Sequence, residues 1–247
     1  MTSSEQAKLI RLKSRLRKRF HQATSMYGLL SDGDHVLVGL SGGKDSLLLL
    51  ELLAEQSRIH RPQFKVEALH VRMENVSYES DTSYLERFAQ QQGVSLHVAT
   101  TAFDSTIPTK KPVCFLCSWH RRKVLFNMAQ ELGCNKIALG HHLDDLLQTT
   151  LMNLFYQGQF STMPASLKMR KMPLSIIRPL CLTDESDIKA YAELAGYEKQ
   201  PKSCPFETAS HRDDIKQLFR QVEQLSPDAR HSMLNALNVG GKMIVSD

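Results

Sequence analysis

"VLVGLSGGKDSLLLLELL", residues 36–53, runs from an apolar strand through Gly42-Gly43 into a leucine-rich segment with the density of a buried helix. The first apolar run is short and closed by glycine, as a buried strand should be, while the second is long enough for a helix and contains neither Pro nor Gly. Strand, paired glycines and helix start, in that order, make an anion-binding corner. N–H groups at a helix N-terminus face the anion, and glycines let it approach the main chain without a Cβ in the way. Ser41 and Ser46 add hydroxyl donors, and Lys44 adds positive charge. The spacing excludes a Walker loop and the G-x-G-x-x-G dinucleotide fingerprint.

Outward from this corner, strand-like runs at "HVLVGL", "VEALHV", "SLHVAT", "KIALG" and "LSIIRPL" alternate with helical periodicity at Lys44 to Ala54, Tyr84 to Gln92, Arg121 to Leu132 and Leu146 to Phe155. Alternation of this kind predicts an α/β fold with a doubly wound, parallel, five-stranded, Rossmann-like sheet, with ligands at the carboxyl ends of the strands. A basic N-terminal helix over 1–30, a nucleotide domain over 31–200, and a Pro-flanked loop with a helical tail over 201–247 complete the expected organisation. No internal repeat and no low-complexity tract interrupts it.

The chain has 247 residues, of which 42% are hydrophobic, enough for a real core. No apolar run spans a membrane and no secretory leader is evident, so a cytoplasmic protein is expected. The formal charge of +5 is unevenly placed. Lys8, Arg11, Lys13, Arg15, Arg17, Lys18 and Arg19 have no acid between them, and the remainder of the chain is net negative. Leu9, Leu12, Leu16 and Phe20 give the same segment an apolar seam. Two readings are open: a docked helix with a solvated basic face, or a surface for a phosphate backbone, for which Lys13, Arg15, Arg17 and Arg19 are the candidate RNA contacts.

Five cysteines without an export signal argue against a disulfide framework and leave metal binding or thiol chemistry. "CFLCSWHRRK" places Cys114 and Cys117 one turn apart, ahead of a helix with Arg121, Arg122 and Lys123. Cys204, in the Pro-flanked "KQPKSCPFE", is the natural third thiol, whereas Cys134 and Cys181 adjoin core strands and are expected to be buried. Thiol spacing alone leaves open zinc, with His120 or His211 as a fourth ligand, and an iron–sulfur cluster. In "GHHLDDLLQTT", residues 140–150, His141, His142, Asp144 and Asp145 suggest a metal site, but equally a helix cap beside packed histidines.

"SGGKDS" is similar to the PP-loop of the ATP pyrophosphatase superfamily, whose members split ATP between the α and β phosphates. Taken with "CFLC", "ALGHHLDDLLQTTLMNLFYQG", and "IIRPL" followed by "DIKAYAELAGY", it resembles the tRNA 2-thiocytidine synthetase family from about Asp32 to Cys204. The resemblance implies ATP-dependent replacement of a cytidine 2-oxygen by sulfur in the tRNA anticodon loop, at position 32, with AMP and pyrophosphate as products. It implies ATP contacts from Ser41, Gly42, Gly43, Lys44, Asp45, Ser46, His70, Gly140 and His141. Catalytic roles fall to Lys44, Asp45, Arg121 and Asp145, with magnesium at Asp45 and Asp145. Cys114, Cys117 and Cys204 would hold a 4Fe-4S cluster. The implied partners are tRNA, a sulfur donor of the cysteine desulfurase type and a second copy of the chain. Glu207 stands where the family commonly carries a further cysteine. The alternatives are an amide-forming PP-loop ligase with structural zinc, acting on RNA or a small molecule, a thiolase for another tRNA nucleotide, and an RNA-binding module without turnover.

Overall fold

The computed structural model describes residues 2–59, 61–74, 81–103, 113–199 and 211–246. Its elements in chain order are α1 (Ser3–Met26), β1 (His35–Gly39), α2 (Lys44–Ser57), β2 (Lys65–Met73), α3 (Thr82–Gln91), β3 (Ser95–Thr101), α4 (Val113–Glu131), β4 (Lys136–Ala138), α5 (Leu143–Gln157), β5 (Ser166–Lys168), β6 (Ser175–Ile177), α6 (Glu185–Leu194), α7 (His211–Leu225), α8 (Ala229–Val239) and β7 (Ile244–Ser246).

The sheet order is β3-β2-β1-β4-β6-β5-β7. The five runs expected as strands are β1, β2, β3, β4 and β6, and all their mutual pairings are parallel. Two further strands correct the expected count. β5 is antiparallel to β6, and β7 pairs with β5 in parallel. Each has three residues and buries none of them, whereas the equally short β4 and β6 each place two in the core. The chain crosses from the β1-β2-β3 half of the sheet to the β4-β6 half between β1 and β4. At this switch point the carboxyl ends of adjacent strands open a crevice.

Val36, Leu37 and Val38 are each fully buried, which is why β1 reads as an unbroken apolar run rather than an alternating one. In α2, Leu47 to Leu50, Leu52 and Leu53 are all buried. A helix apolar all round must be covered all round. α6 packs against both α1 and α2. The seam of α1 enters the core as expected, with Leu12, Leu16, Phe20 and Ala23 buried. Each such leucine contributes about 1.5–3 kcal/mol by leaving water.

Glu51 is the exception inside α2, a carboxylate only 7% exposed among leucines. It accepts hydrogen bonds from the Tyr191 hydroxyl at 2.7 Å and the Tyr197 hydroxyl at 2.5 Å, and pairs with Lys13 at 2.7 Å. These partners come from "AYAELAGY" and from α1, so one buried charge fastens three helices.

Candidate active site

β1 ends at Gly39, and the Leu40 N–H still bonds the Leu69 carbonyl at 2.9 Å. The chain then turns through Gly42, whose φ of +84° lies in the left-handed region that favours glycine. Gly43 is the N-cap of α2 and supplies no side chain to its free N–H groups. The Ser41 hydroxyl accepts from the Gly43 N–H at 3.3 Å and donates to Ser46 Oγ at 3.1 Å, while Ser46 donates to the Gly43 carbonyl at 2.9 Å. Ser41 to Ser46 therefore form one bonded corner, as the sequence predicts.

The loop after β4 meets it. A Cβ at Gly140 would lie 3.0 Å from the Asp45 carbonyl carbon and 3.0 Å from the Ser46 nitrogen. Backbone faces backbone here, so a side chain at this position requires the Asp45–Ser46 main chain to give by a few tenths of an ångström. His142 Nε2 stands 3.9 Å from Asp45 Oδ1 and 3.4 Å from Asp145 Oδ2, so the two candidate magnesium carboxylates flank one imidazole. Asp145 also accepts the His142 N–H at 3.1 Å, and Arg212 lies 3.7 Å from it. Asp144 takes a different role. It accepts the Glu185 N–H at 2.8 Å and pairs with Arg230 at 2.9 Å, tying α5 to the start of α6 and to α8. Burial pushes its carboxyl up, but Arg230 outweighs this and holds it below the usual range.

Lys44 is already engaged: its ammonium lies 3.0 Å from Asp45 and 3.3 Å from Glu185, and Glu185 is also paired with Lys216 at 2.8 Å. Burial lowers the lysine, yet the two carboxylates raise its pKa overall and keep it charged. A phosphate arriving at this corner meets a cation whose present partners are carboxylates, so anion binding must exchange those contacts.

His141 accepts at Nδ1 from Arg178 Nε at 3.3 Å, and Arg178 also donates to the Pro164 carbonyl at 2.6 Å. Burial and then the Arg178 charge lower the imidazole to about 4. His141 is thus neutral, with its proton on Nε2. His70, on β2, is 3% exposed. Its Nδ1 hydrogen-bonds the Leu40 carbonyl at 2.7 Å, and burial lowers its pKa. Its Nε2 has no hydrogen-bond partner among the described residues.

A cavity of about 210 Å³ opens beside this histidine, lined by Gly39, Leu40, Ser41, His70, Arg121 and Arg122 among others. It joins the phosphate corner to the cysteine helix. That helix starts at Val113, so Cys114 lies in its first turn and Cys117 one turn further on, both within the helix rather than ahead of it. Cys114 is exposed and Cys117 half-buried. Cys204, like Glu207, lies outside the described residues. Cys134 and Cys181 are buried, and burial pushes their thiols up to about 11 and about 12. Among the described residues no three His, Cys, Asp or Glu side chains form a metal-ion ligand set.

The candidate RNA contacts on α1 have protein partners. Lys13 pairs with Glu51 and Glu55, Arg15 with Asp187, and Arg17 with Glu55, while Arg19 donates to Gln22. Three of the four thus hold α1 to α2 and α6. The residues that sequence reasoning passed over are Arg178, Glu185 and Lys216. Arg178 had a visible signal, a charge inside the apolar run "SIIRPL".

A family model described as a PP-loop domain matches residues 12–201. Among curated proteins, the chain is 32% identical to a tRNA-cytidine(32) 2-sulfurtransferase of Vibrio vulnificus, over 96% of this chain and 77% of that protein. It is 35% identical to a protein of the same name from Syntrophotalea carbinolica, over 92% and 89%. Among solved structures it resembles the U34-tRNA thiolase NcsA from Methanococcus maripaludis, determined with its 4Fe-4S cluster, at 22% identity. The TM-score is 0.69 and the match covers 90% of this chain and 76% of that one, which shows a shared fold.

Proposed function

The chain belongs to the PP-loop family and, within it, to the tRNA-cytidine(32) 2-sulfurtransferases, and on that premise we propose that it thiolates a cytidine of tRNA in an ATP-dependent reaction. The observation that carries the reading is the shared cavity, with Ser41 of the phosphate corner on one wall and Arg121 and Arg122 of the cysteine helix on the other.

A pyrimidine carbonyl oxygen is a poor leaving group. Attack by that oxygen on the α-phosphate of ATP converts it into AMP, which a sulfur nucleophile displaces from C2. Pyrophosphate leaves onto the corner formed by Ser41 to Ser46, where N–H groups, hydroxyls and the Lys44 ammonium balance its charge. Asp45 and Asp145 would hold a magnesium ion, whose charge would help offset that of the phosphates. The neutral His141 offers an N–H donor, and His70 offers a buried nitrogen to the nucleotide in the cavity. Arg121 offsets negative charge on the cavity side.

Cys114 and Cys117 suit two ligand positions of a 4Fe-4S cluster, being thiols one helical turn apart, and Cys204 is the proposed third. Such a cluster, held by these thiols, would supply a site able to carry sulfur. The partners in this proposal are tRNA, a desulfurase-type donor and a second copy of the chain, in the cytoplasm. Among the described residues no helix is long and apolar enough to cross a membrane.

The test is anaerobic incubation of the protein with ATP, magnesium, sulfide and unmodified tRNA, followed by nucleoside mass spectrometry. The expected product is 2-thiocytidine, formed together with AMP and pyrophosphate. Pyrophosphate release that depends on an added amine, with no thiolated nucleoside, would instead identify an amide-forming ligase.

A further inference from the structure

One face of α4 carries two half-exposed aromatic rings among cations. Phe115, Ser118, Trp119 and Arg122 recur at spacings of three and four and are all exposed. The two rings are 46% and 47% exposed, one turn apart, where a solvent face ordinarily carries polar side chains. Lys123 Nζ lies 5.6 Å from the centre of the Trp119 ring, and His120 meets the same ring edge-on at 4.9 Å. From Val113 onward, the first acid of the helix is Glu131 at its end. Flat rings are thus bordered by cations of a single sign. Arg122 also lines the cavity that contains Ser41 and His70, so the strip leads from solvent to the nucleotide crevice.

A protein-docking patch needs apolar area with charges that suit its partner, and a paired duplex offers no open base faces. An RNA loop offers both missing features, flat unpaired bases and a polyanionic backbone. We propose that the Phe115–Trp119 face of α4, bordered by Arg122 and Lys123, is a stacking platform for unpaired bases of an RNA loop, holding the loop so that a neighbouring base enters the cavity. The proposal rests on the reading of this chain as a tRNA-modifying enzyme and adds the surface that grips the loop.

Trp119 is the single tryptophan of the chain, so its fluorescence reports on this face directly. Full-length protein is titrated with a stem-loop RNA and with a fully paired duplex of the same composition. The stem-loop quenches Trp119 and the duplex does not. Trp119→Ala and Phe115→Ala each weaken stem-loop binding by roughly tenfold or more, and Trp119→Phe restores most of it. Both rings are about half exposed, and circular dichroism of the variants, expected to match that of the parent, checks that they fold. Stem-loop binding with unaltered fluorescence and unaltered affinity in Trp119→Ala overturns the platform while leaving tRNA modification standing. Equal quenching by the duplex overturns it too. Failure to bind any RNA overturns both readings, and quenching by a protein partner but not by RNA assigns the face elsewhere.

Discussion

α1 and α4 are both basic helices in the sequence, yet the fold uses their cations in opposite ways. In α1, Lys13, Arg15 and Arg17 reach carboxylates of α2 and α6, while Lys8, Arg11 and Lys18 stay exposed without an ion pair among the described residues. In α4, Arg121 and Arg122 line the cavity and Lys123 lies over an exposed tryptophan. The lesson is that a run of positive charge identifies a ligand surface only after the protein's own carboxylates have been counted. The α1 cations meet Glu51, Glu55 and Asp187 inside the chain, and these partners are remote in sequence.

The comparison can be broken by perturbing each part separately. The largest effect is expected from Gly140→Ala, which touches neither helix. Its Cβ would meet the Asp45 and Ser46 backbone at 3.0 Å, and displacing the phosphate corner should lower turnover by about 100-fold or more. Pyrophosphate release measures this, and RNA affinity should remain. A parallel loss of RNA affinity would show that the corner and the α4 face are not separate.

Next in size is Glu51→Ala, which removes the acceptor shared by Lys13, Tyr191 and Tyr197. Leaving those groups unanswered should cost about 3 kcal/mol in urea unfolding. If α1 is a structural fastener, stem-loop affinity at fixed salt should be unaffected in the folded variant.

A third test separates buried from exposed titration. His141 titrates near 4 in the fold, lowered first by burial and then by Arg178, against about 6.5 when unfolded. The unfolded chain therefore binds the proton more readily. The contribution is fully present above about pH 6.5 and is lost as pH falls toward 4. His70, also lowered, acts in the same direction. His141→Gln should flatten this limb of the stability curve, by on the order of 2 kcal/mol. Asp144 and Glu185, held down by Arg230 and by Lys216 with Lys44, lose their contribution only in the carboxylate range below it. An unchanged limb in the variant would remove His141 from the account.

The smallest effect sharpens the contrast most directly. Replacing Arg122 and Lys123 by serine should reduce the salt slope of stem-loop binding by about 0.7–0.9 for each cation that contacts phosphate. Replacing Arg15 and Arg17 should leave that slope intact and lower only the unfolding midpoint. The reverse pattern would return the RNA surface to α1.

The phosphate corner was legible because its parts are contiguous. Ser41 to Ser46 are joined by hydrogen bonds that span at most five residues, and glycine, hydroxyl and lysine state their chemistry by type. Of the five parallel strands, β1, β2, β4 and β6 were legible because their buried residues show as short apolar runs, while the edge strand β3, with none buried, stood out only by its β-forming letters. β5 and β7 were not legible, because neither buries a residue, whereas the equally short β4 and β6 each place two in the core. The second loop was half legible. Its acids stood out, but Asp144 and Asp145 were indistinguishable as letters, and only the contacts with α6 and α8 set Asp144 apart as a clasp. Arg178 was visible as a charge in an apolar run, though nothing local named His141 as its acceptor.

By itself, the sequence determined the anion corner, the parallel sheet and the seam of α1, because each depends on backbone conformation or apolar periodicity within a few turns of chain. Only the tertiary structure decided which cations pair with carboxylates of the fold, which aspartate bonds α6 and α8, and that the cysteine helix lines the cavity beside Ser41. Charge pairing and cavity walls are set by distances across the fold, between residues that spacing along the chain does not relate.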